Sequence, residues 1–266
     1  MATTSSDIAA SFDARAPQYK GNDWHRESAE RLVDFCGIRP GSTVLDAGTG
    51  TGFAAVAAAR VVGPRGRVVA VDLSDGMLQV AKQHMPAVSE APIEWVQGDA
   101  TSLSSYRAAS FNVVLCSAAL LYMPVAHALA EWHRLLTAGG IVAFSSMRAG
   151  FPLAGRVFRE CAAPYGFHLA DPSEALGSEA VCHAALQTAG FSGTTVSGGV
   201  LHFTAQDIGL AWESNLGSAA HAAVHAATPE RLAAMRVAFE SALVLAEQRH
   251  PGSKSSTEVL LAKGVR

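Results

Sequence analysis

The chain has 266 residues, 49% of them hydrophobic and 16% charged, which is enough apolar material for a sizeable core and excludes a disordered chain. With 20 basic and 23 acidic residues the formal net charge is −3, and no lysine/arginine cluster forms a basic stripe, which disfavours a nucleic-acid partner. No apolar run approaches the ~20 residues of a membrane span, and the opening MATTSSDIAASFDARA lacks a signal-peptide core. Four dispersed cysteines (Cys36, Cys116, Cys161, Cys182) form no C-x-x-C pair, so a cytoplasmic protein with reduced thiols and no membrane partner is expected.

Residues 1–7 read as a polar leader. From Phe12 onward the aromatics Phe12, Tyr19 and Trp24 mark a segment that folds over something, followed by a helical RESAERLVDFCGI; together they make cap helices over 8–38. Ser42 to Ala47 is expected as the first strand and Phe53 to Val62 as a helix, joined by the tight turn Gly48-Thr49-Gly50-Thr51-Gly52. Such a turn is expected to bare backbone N–H groups and the positive end of a helix dipole toward a ligand. The dinucleotide pattern G-x-G-x-x-G would need a glycine at 53, where Phe53 stands; the third glycine comes one step early, and Asp46 precedes the first by two.

RVVAVD reads as a second strand, an apolar run suited to a parallel sheet, and ends at Asp72. A carboxylate there can accept both ribose hydroxyls of a nucleoside, or it can cap the helix beginning near Ser74; the upstream glycine loop favours the ribose role. Leu73 and Met77 then offer apolar faces for a base. Pro92 to Gln97 is a third strand, ending in Gly98-Asp99-Ala100, where Asp99 also fits a turn cap. Three polar features thus fall at the C-terminal ends of three successive strands, where open α/β sheets bind ligands.

FNVVLCS is a fourth strand, a helix follows over Ala126 to Leu136, Ala138-Gly139-Gly140 is expected to end it, and IVAFSS is a fifth strand. After Arg148 the sequence turns irregular, with three prolines up to Ser178. SEAVCHAALQTAGF reads as a helix, SGTTVSGGVLHF as strand six, DIGLAWESNLG as helical, Pro229 to Arg249 as a long helix and STEVLLAKGV as strand seven. With no repeat or Gly/Ser linker, residues 1–266 are expected to form one domain, on which 150–176 and 205–228 are insertions forming a lid.

The loop Asp46-x-Gly48-x-Gly50-x-Gly52, the acids Asp72 and Asp99, and the fragment Phe12-Asp13…Tyr19 resemble class I S-adenosylmethionine-dependent methyltransferases of the ubiquinone/menaquinone type. The resemblance is specific over about residues 12–146 and rests on element order beyond them. It implies an α/β fold, a Rossmann-like, mostly parallel sheet of seven strands with helical lid insertions. It also implies S-adenosylmethionine as cofactor, with S-adenosylhomocysteine as product. By the same resemblance Asp46, Gly48, Thr49, Gly50, Gly52 and Phe53 form the loop, Asp72, Leu73 and Met77 hold the nucleoside, and Gly98, Asp99 and Ala100 border the adenine amine. Cys116, Ser117 and Leu121 would line the methionine end, over which Tyr19 closes.

Methyl transfer needs alignment and exclusion of water more than a fixed catalytic motif, but a hydroxyl acceptor gains from a base with a pKa near neutrality. The expected substrate is a small, partly apolar molecule, with oxygen the first choice of acceptor atom and carbon or nitrogen open. His25, Tyr122 and His168 are the catalytic candidates, and Tyr19, Trp24, Tyr122, Arg148 and Trp212 the substrate-binding ones. His84, His133 and His250 read as residues on helix surfaces or ends, whereas His127, just after Pro124 and near the helix following the fourth strand, is a further candidate for function. His221 and His225 share a helix face at i and i+4 but lack a third ligand, so no metal is expected. Two other functions remain open: a non-methylating reaction such as cyclisation on the same cofactor, and a nicotinamide-dependent oxidoreductase, which Phe53 disfavours. Partners are expected to be limited to the small molecule, with the protein a monomer or homodimer.

Overall fold

The computed structural model describes residues 4–19, 23–84 and 91–266, which form one seven-stranded sheet in the order β3-β2-β1-β4-β5-β7-β6. In chain order the main elements are α1 (Ser5–Arg15), α2 (Asp23–Cys36), β1 (Thr43–Ala47), α3 (Phe53–Val62), β2 (Arg67–Asp72), α4 (Asp75–His84) and β3 (Ile93–Gln97). β4 (Phe111–Cys116), α5 (Val125–Leu135), β5 (Leu136–Met147), α6 (Leu153–Ala162), α7 (Glu179–Thr188) and β6 (Ser192–His202) follow. The chain closes with α8 (Ala205–Gly209), α9 (Ala211–Leu216), α10 (Pro229–Arg249) and β7 (Ser256–Val265). β1 to β5 pair in parallel, and β7 inserts antiparallel between β5 and β6.

The central parallel strands β1, β2 and β4 carry buried apolar runs because helices cover both faces. Successive side chains of β4 go to opposite layers: Val114 and Cys116 pack toward α5, while Val113 and Leu115 pack toward α2 and α3. The strand order turns back on either side of β1, which pairs with both β2 and β4, so a crevice opens above the C-terminal ends of β1 and β4. A third apolar cluster, built from α6, α9 and α10 around Phe158, Trp212, Met235 and Phe239, stands apart from the sheet.

Two sequence expectations are corrected. The leader is helical from Ser5, because Thr4 caps α1: its hydroxyl accepts from the Asp7 N–H at 3.2 Å while the Asp7 carboxylate accepts from the Thr4 N–H at 2.9 Å. Residues 1–3 of that leader lie outside the described residues. Ala138-Gly139-Gly140 does not end α5. The helix passes directly into β5, and the glycines form a break in register, Phe111 pairing with Leu136 but Val113 with Ile141. Gly139 takes φ +74°, and a Cβ on Gly140 would meet the Thr137 and Asn112 carbonyl oxygens at 2.9 and 3.0 Å.

Trp132 of α5 is fully buried and donates its indole N–H to the Ala100 carbonyl oxygen at 2.8 Å, tying the helix to the turn after β3. Trp132→Phe leaves that buried carbonyl without its partner, so unfolding free energy should fall by about 1–3 kcal/mol. A lower urea midpoint at unchanged m-value is the expected reading.

Candidate active site

The turn between β1 and α3 is built by glycines in left-handed conformations, with φ of +70°, +55° and +87° at Gly48, Gly50 and Gly52. Gly48 is closely approached: a Cβ there would lie 2.6 Å from the Ala119 Cβ and 3.0 Å from the Met123 Cε. Gly52 faces inward, where a Cβ would lie 2.6 Å from the Trp95 ring. Gly50 has open space above it.

Four of the turn's five N–H groups are taken up within the protein, contrary to the sequence expectation. Gly48 and Thr49 both donate to the Val71 carbonyl oxygen at 2.9 Å, Gly50 donates to Asp72 Oδ2 at 2.7 Å, and Gly52 donates to the Thr49 carbonyl at 2.9 Å. With those four donors taken, what the loop mainly offers is close access to backbone beside a carboxylate.

That carboxylate is Asp72. Oδ2 takes the Gly50 N–H and Oδ1 the Ser74 N–H at 2.9 Å, so both oxygens are oriented and each keeps a lone pair for a further donor. Burial raises its pKa, against the two backbone N–H groups that lower it. Both readings of Asp72 are therefore compatible: it braces the start of α4 and lines the cavity. Asp99 likewise caps its own turn, Oδ1 accepting from the Thr101 N–H and hydroxyl at 2.8 and 2.7 Å, and also lines the cavity. Asp13 of α1 accepts from the Ser74 hydroxyl at 2.5 Å and the Gly76 N–H at 2.9 Å, which docks α1 beside the crevice.

The cavity has a volume of about 600 Å³ and runs from the glycine turn to the α6 and α8–α9 segments. The sequence candidates Tyr19, Trp24, His25, Gly48, Thr49, Gly50, Phe53, Asp72, Leu73 and Met77 line it, as do Asp99, Ala100, Ser117, Leu121 and Tyr122. Neighbouring Ala118 holds φ +53°, its N–H donating to the Ser145 hydroxyl at 2.9 Å, so the backbone after β4 is bent into the site.

Other candidates fall outside the lining. Asp46 is fully buried beneath the loop, accepting from the Thr49 hydroxyl at 2.6 Å; it holds the turn's shape and touches no ligand space. Gly52 packs on Trp95, Gly98 donates to the Asp72 carbonyl at 2.9 Å, and Cys116 sits in the core. Arg148 is engaged by Glu258 at 2.8 Å and Glu179 at 3.4 Å. Trp212 is buried between Phe158 and Phe239 at 5.2 and 5.5 Å. His168 and His127 are exposed away from the cavity, and the His84 side chain lies outside the described residues.

Of the catalytic candidates inside, burial keeps both neutral. His25 stacks on Trp24 with ring centroids 3.5 Å apart, and burial, helped by the Arg15 charge, pushes its pKa down to about 3. Burial pushes the Tyr122 phenol up to about 12, which makes it a neutral donor. The expected shared helix face of His221 and His225 is also corrected. The stretch Ala219–Ala226 is a 3₁₀ helix, and each ring goes to a backbone carbonyl, His221 Nδ1 to Asn215 at 2.9 Å and His225 Nε2 to Leu216 at 2.7 Å. Sequence reasoning did not place Arg15 or Arg159 in the site and weighed His221 only as a metal ligand, yet all three line the cavity. Nothing in their local sequence shows that the fold brings α1, α6 and the 219–226 segment to one cavity.

Asp46 carries a testable consequence. Burial raises its pKa from 3.8 to about 7, so the folded protein holds a proton that the unfolded chain releases between those values. Stability from this group is therefore intact at low pH and lost as pH rises from about 4 to about 7. Asp46→Asn should remove that loss: measured against the wild type, its unfolding free energy gains most above neutrality. A constant difference across the pH range would refute the assignment.

Residues 45–144 match the family described as Methyltransferase domain. A 2-phytyl-1,4-naphtoquinone methyltransferase of Trichormus variabilis is 39% identical over 36% of this chain and 45% of its own length. A malonyl-[acyl-carrier protein] O-methyltransferase of Serratia marcescens is 34% identical over 56% and 53%. The chain thus spans about half the length of these curated relatives. Among solved structures, the YcgJ protein of Bacillus subtilis aligns over 90% of this chain and 98% of its own at a TM-score of 0.57 and 18% identity, a likeness of fold. No helix among the described residues is long and apolar enough to cross a membrane. Residues 45–144 are thus similar to a methyltransferase domain, in a chain whose strand order is that of the methyltransferase-like solved fold and whose curated relatives named here are methyltransferases.

Proposed function

We propose that the protein transfers a methyl group from S-adenosylmethionine to an oxygen atom of a small, partly apolar molecule held in the cavity. The observation that carries this reading is Asp72, a buried carboxylate fixed by two backbone N–H groups beside the open face of Gly50. Its remaining lone pairs suit the paired hydroxyls of a ribose, Leu73 and Met77 supply apolar surface for the adenine, and Asp99 accepts from its amine. The fit is one of donor and acceptor types: acceptors stand where a nucleoside carries donors, and four of the five loop amides are already engaged within the protein. When bound, the cofactor supplies a methyl carbon activated by sulfonium charge. The chain's own work is to orient the acceptor and keep water out.

A cavity of about 600 Å³ lies in the ~300–1,000 Å³ range of small-molecule sites. In this reading residues 150–176 and 205–228 are the lid of a single domain. Phe151, Leu153, Ala154, Ile208, Leu210 and Ala211 line the cavity from that side and favour a partly apolar substrate. The 150–176 segment is braced by the Asp171 carboxylate, which pairs with Arg159 at 2.8 Å and accepts from Gly150 and Ser173 N–H groups at 2.8 and 3.0 Å. Tyr19 and Trp24 complete the wall from the N-terminal side.

Calorimetric titration with S-adenosylhomocysteine tests the cofactor site. Asp72→Ala should weaken binding by at least ~1.5 kcal/mol through the lost charged hydrogen bonds, with NADH silent against both proteins. Unchanged affinity in a folded variant would sink the ribose assignment. The acceptor is identified by incubating the protein and S-adenosylmethionine with candidate alcohols, phenols and amines. A product heavier by one CH₂ is expected from an oxygen acceptor, and an amine-only product overturns the choice of oxygen.

A further inference from the structure

We propose that Arg15 and His221 receive the substrate's acceptor group together, and that this group is an acidic hydroxyl, phenolic or enolic, whose proton passes to His221. The proposal rests on the methyl-transfer reading above and deepens it. Arg15 is only 9% exposed, donates through Nε to the Ser11 carbonyl at 3.2 Å, and leaves a buried Nη2 without a hydrogen-bond partner. His221 is 3% exposed, with Nδ1 2.9 Å from the Asn215 carbonyl oxygen. A carbonyl can only accept, so Nδ1 carries the proton and Nε2 the lone pair. That Nε2 is also buried and unpartnered.

One orphan is thus a donor and the other an acceptor, and both residues line the same cavity. They are mounted on one corner of the fold. A Cβ on Gly217 would lie 3.0 Å from the Arg15 Cδ, the Ser11 hydroxyl donates to the Gly217 carbonyl at 3.0 Å, and the His221 N–H donates to the Ser218 carbonyl at 2.9 Å. Tyr122, also on the cavity wall, hydrogen-bonds the Ser218 side chain. Burying unpaired polar atoms is costly, so the pair is built for a ligand.

The two orphans select its chemistry. A carboxylate would satisfy Arg15 but face the His221 lone pair, and an ammonium would satisfy His221 but face the guanidinium. A hydroxyl accepts from Arg15 and donates to His221. In the step the O–H bond breaks and both electrons stay on oxygen, beside the guanidinium. A new N–H bond forms at Nε2. The oxygen then takes the methyl carbon as the sulfur keeps the S–C electron pair, and the imidazolium returns its proton to water. The charged groups that act on His221 are Arg159, Asp171 and Arg15, and burial is the largest influence, keeping the ring neutral at rest.

The test uses the full chain saturated with S-adenosylhomocysteine and 4-nitrophenol as probe, at a mildly acidic pH where the free phenol is mostly neutral. The wild type should raise the phenolate absorption band. His221→Gln should weaken the band at least about tenfold, the effect of one pKa unit, while still binding S-adenosylhomocysteine. Arg15→Met should weaken it as well, again with cofactor-product affinity retained. Absence of the band in the wild type, or its persistence in His221→Gln, overturns the proposal. A tenfold loss of S-adenosylhomocysteine affinity in Arg15→Met reassigns Arg15 to the cofactor and overturns the pair. Should His221→Gln not fold, ¹⁵N spectra of the wild-type histidines decide: one ring protonated at Nδ1 alone should gain a second N–H when the phenol is added, and its absence counts against the proposal. Failure of the wild type to bind S-adenosylhomocysteine defeats the underlying methyl-transfer reading instead.

Discussion

Asp72 stands at the end of β2 with one carboxylate oxygen on the Gly50 N–H and the other on the Ser74 N–H, and three parts of the molecule meet there. The first bond shapes the glycine turn above β1, and the second begins α4. Ser74 then passes the connection on, its hydroxyl donating to Asp13 and so docking α1 against the same corner. A carboxylate buried this far loses most of its hydration, which raises its pKa, and the oriented N–H groups return only part of that loss. Both oxygens keep polar capacity on the cavity side, so the residue that braces this corner is also the binding group in the proposed function.

Asp46 sits one layer below and does a different job. Its Oδ2 holds the Thr49 hydroxyl and its Oδ1 is buried without a partner, so the acid supports the turn's shape from underneath. The nearby Asp72 charge further raises the proton affinity of Asp46, a secondary influence next to burial itself. A cationic ligand above Asp72 would ease both. The wall facing them is more mixed: apolar residues of the α6 and α8–α9 segments stand beside polar ones such as Arg159 and Asp171, and Arg15 and His221 each carry a buried polar atom without a partner. The sheet side is dense with mutual hydrogen bonds, and in the proposed function it is the side that takes the cofactor.

Most of the fold could be read from the chain, because the signals were local. The residues of α3, β2, α10 and β7 have the bounds that periodicity, an initial proline and apolar runs assign them. Gly48, Gly50, Asp72 and Asp99 were legible for the same reason: a strand end, a turn and an acid follow one another within a few residues. Gly139 and Gly140 misled, since glycine after a helix commonly marks its end, and only pairing with β4 shows that they carry a break in register inside β5.

What the chain alone determined is therefore the set of elements, the turn chemistry and the strand-end acids, all fixed by neighbours in sequence. The tertiary structure decided which polar groups are left over. The loop amides looked available, but those of Gly48, Thr49 and Gly50 are taken by Val71 and Asp72, and His25, beside the aromatics, is pressed into a neutral state by burial. Arg15 and His221, 206 residues apart in sequence, carry no motif. They matter because α1 and the Gly217–Ser218 corner pack together and bury a donor and an acceptor without partners. Whether a polar atom is satisfied depends on everything that surrounds it in space, and that information exists only once the chain has folded.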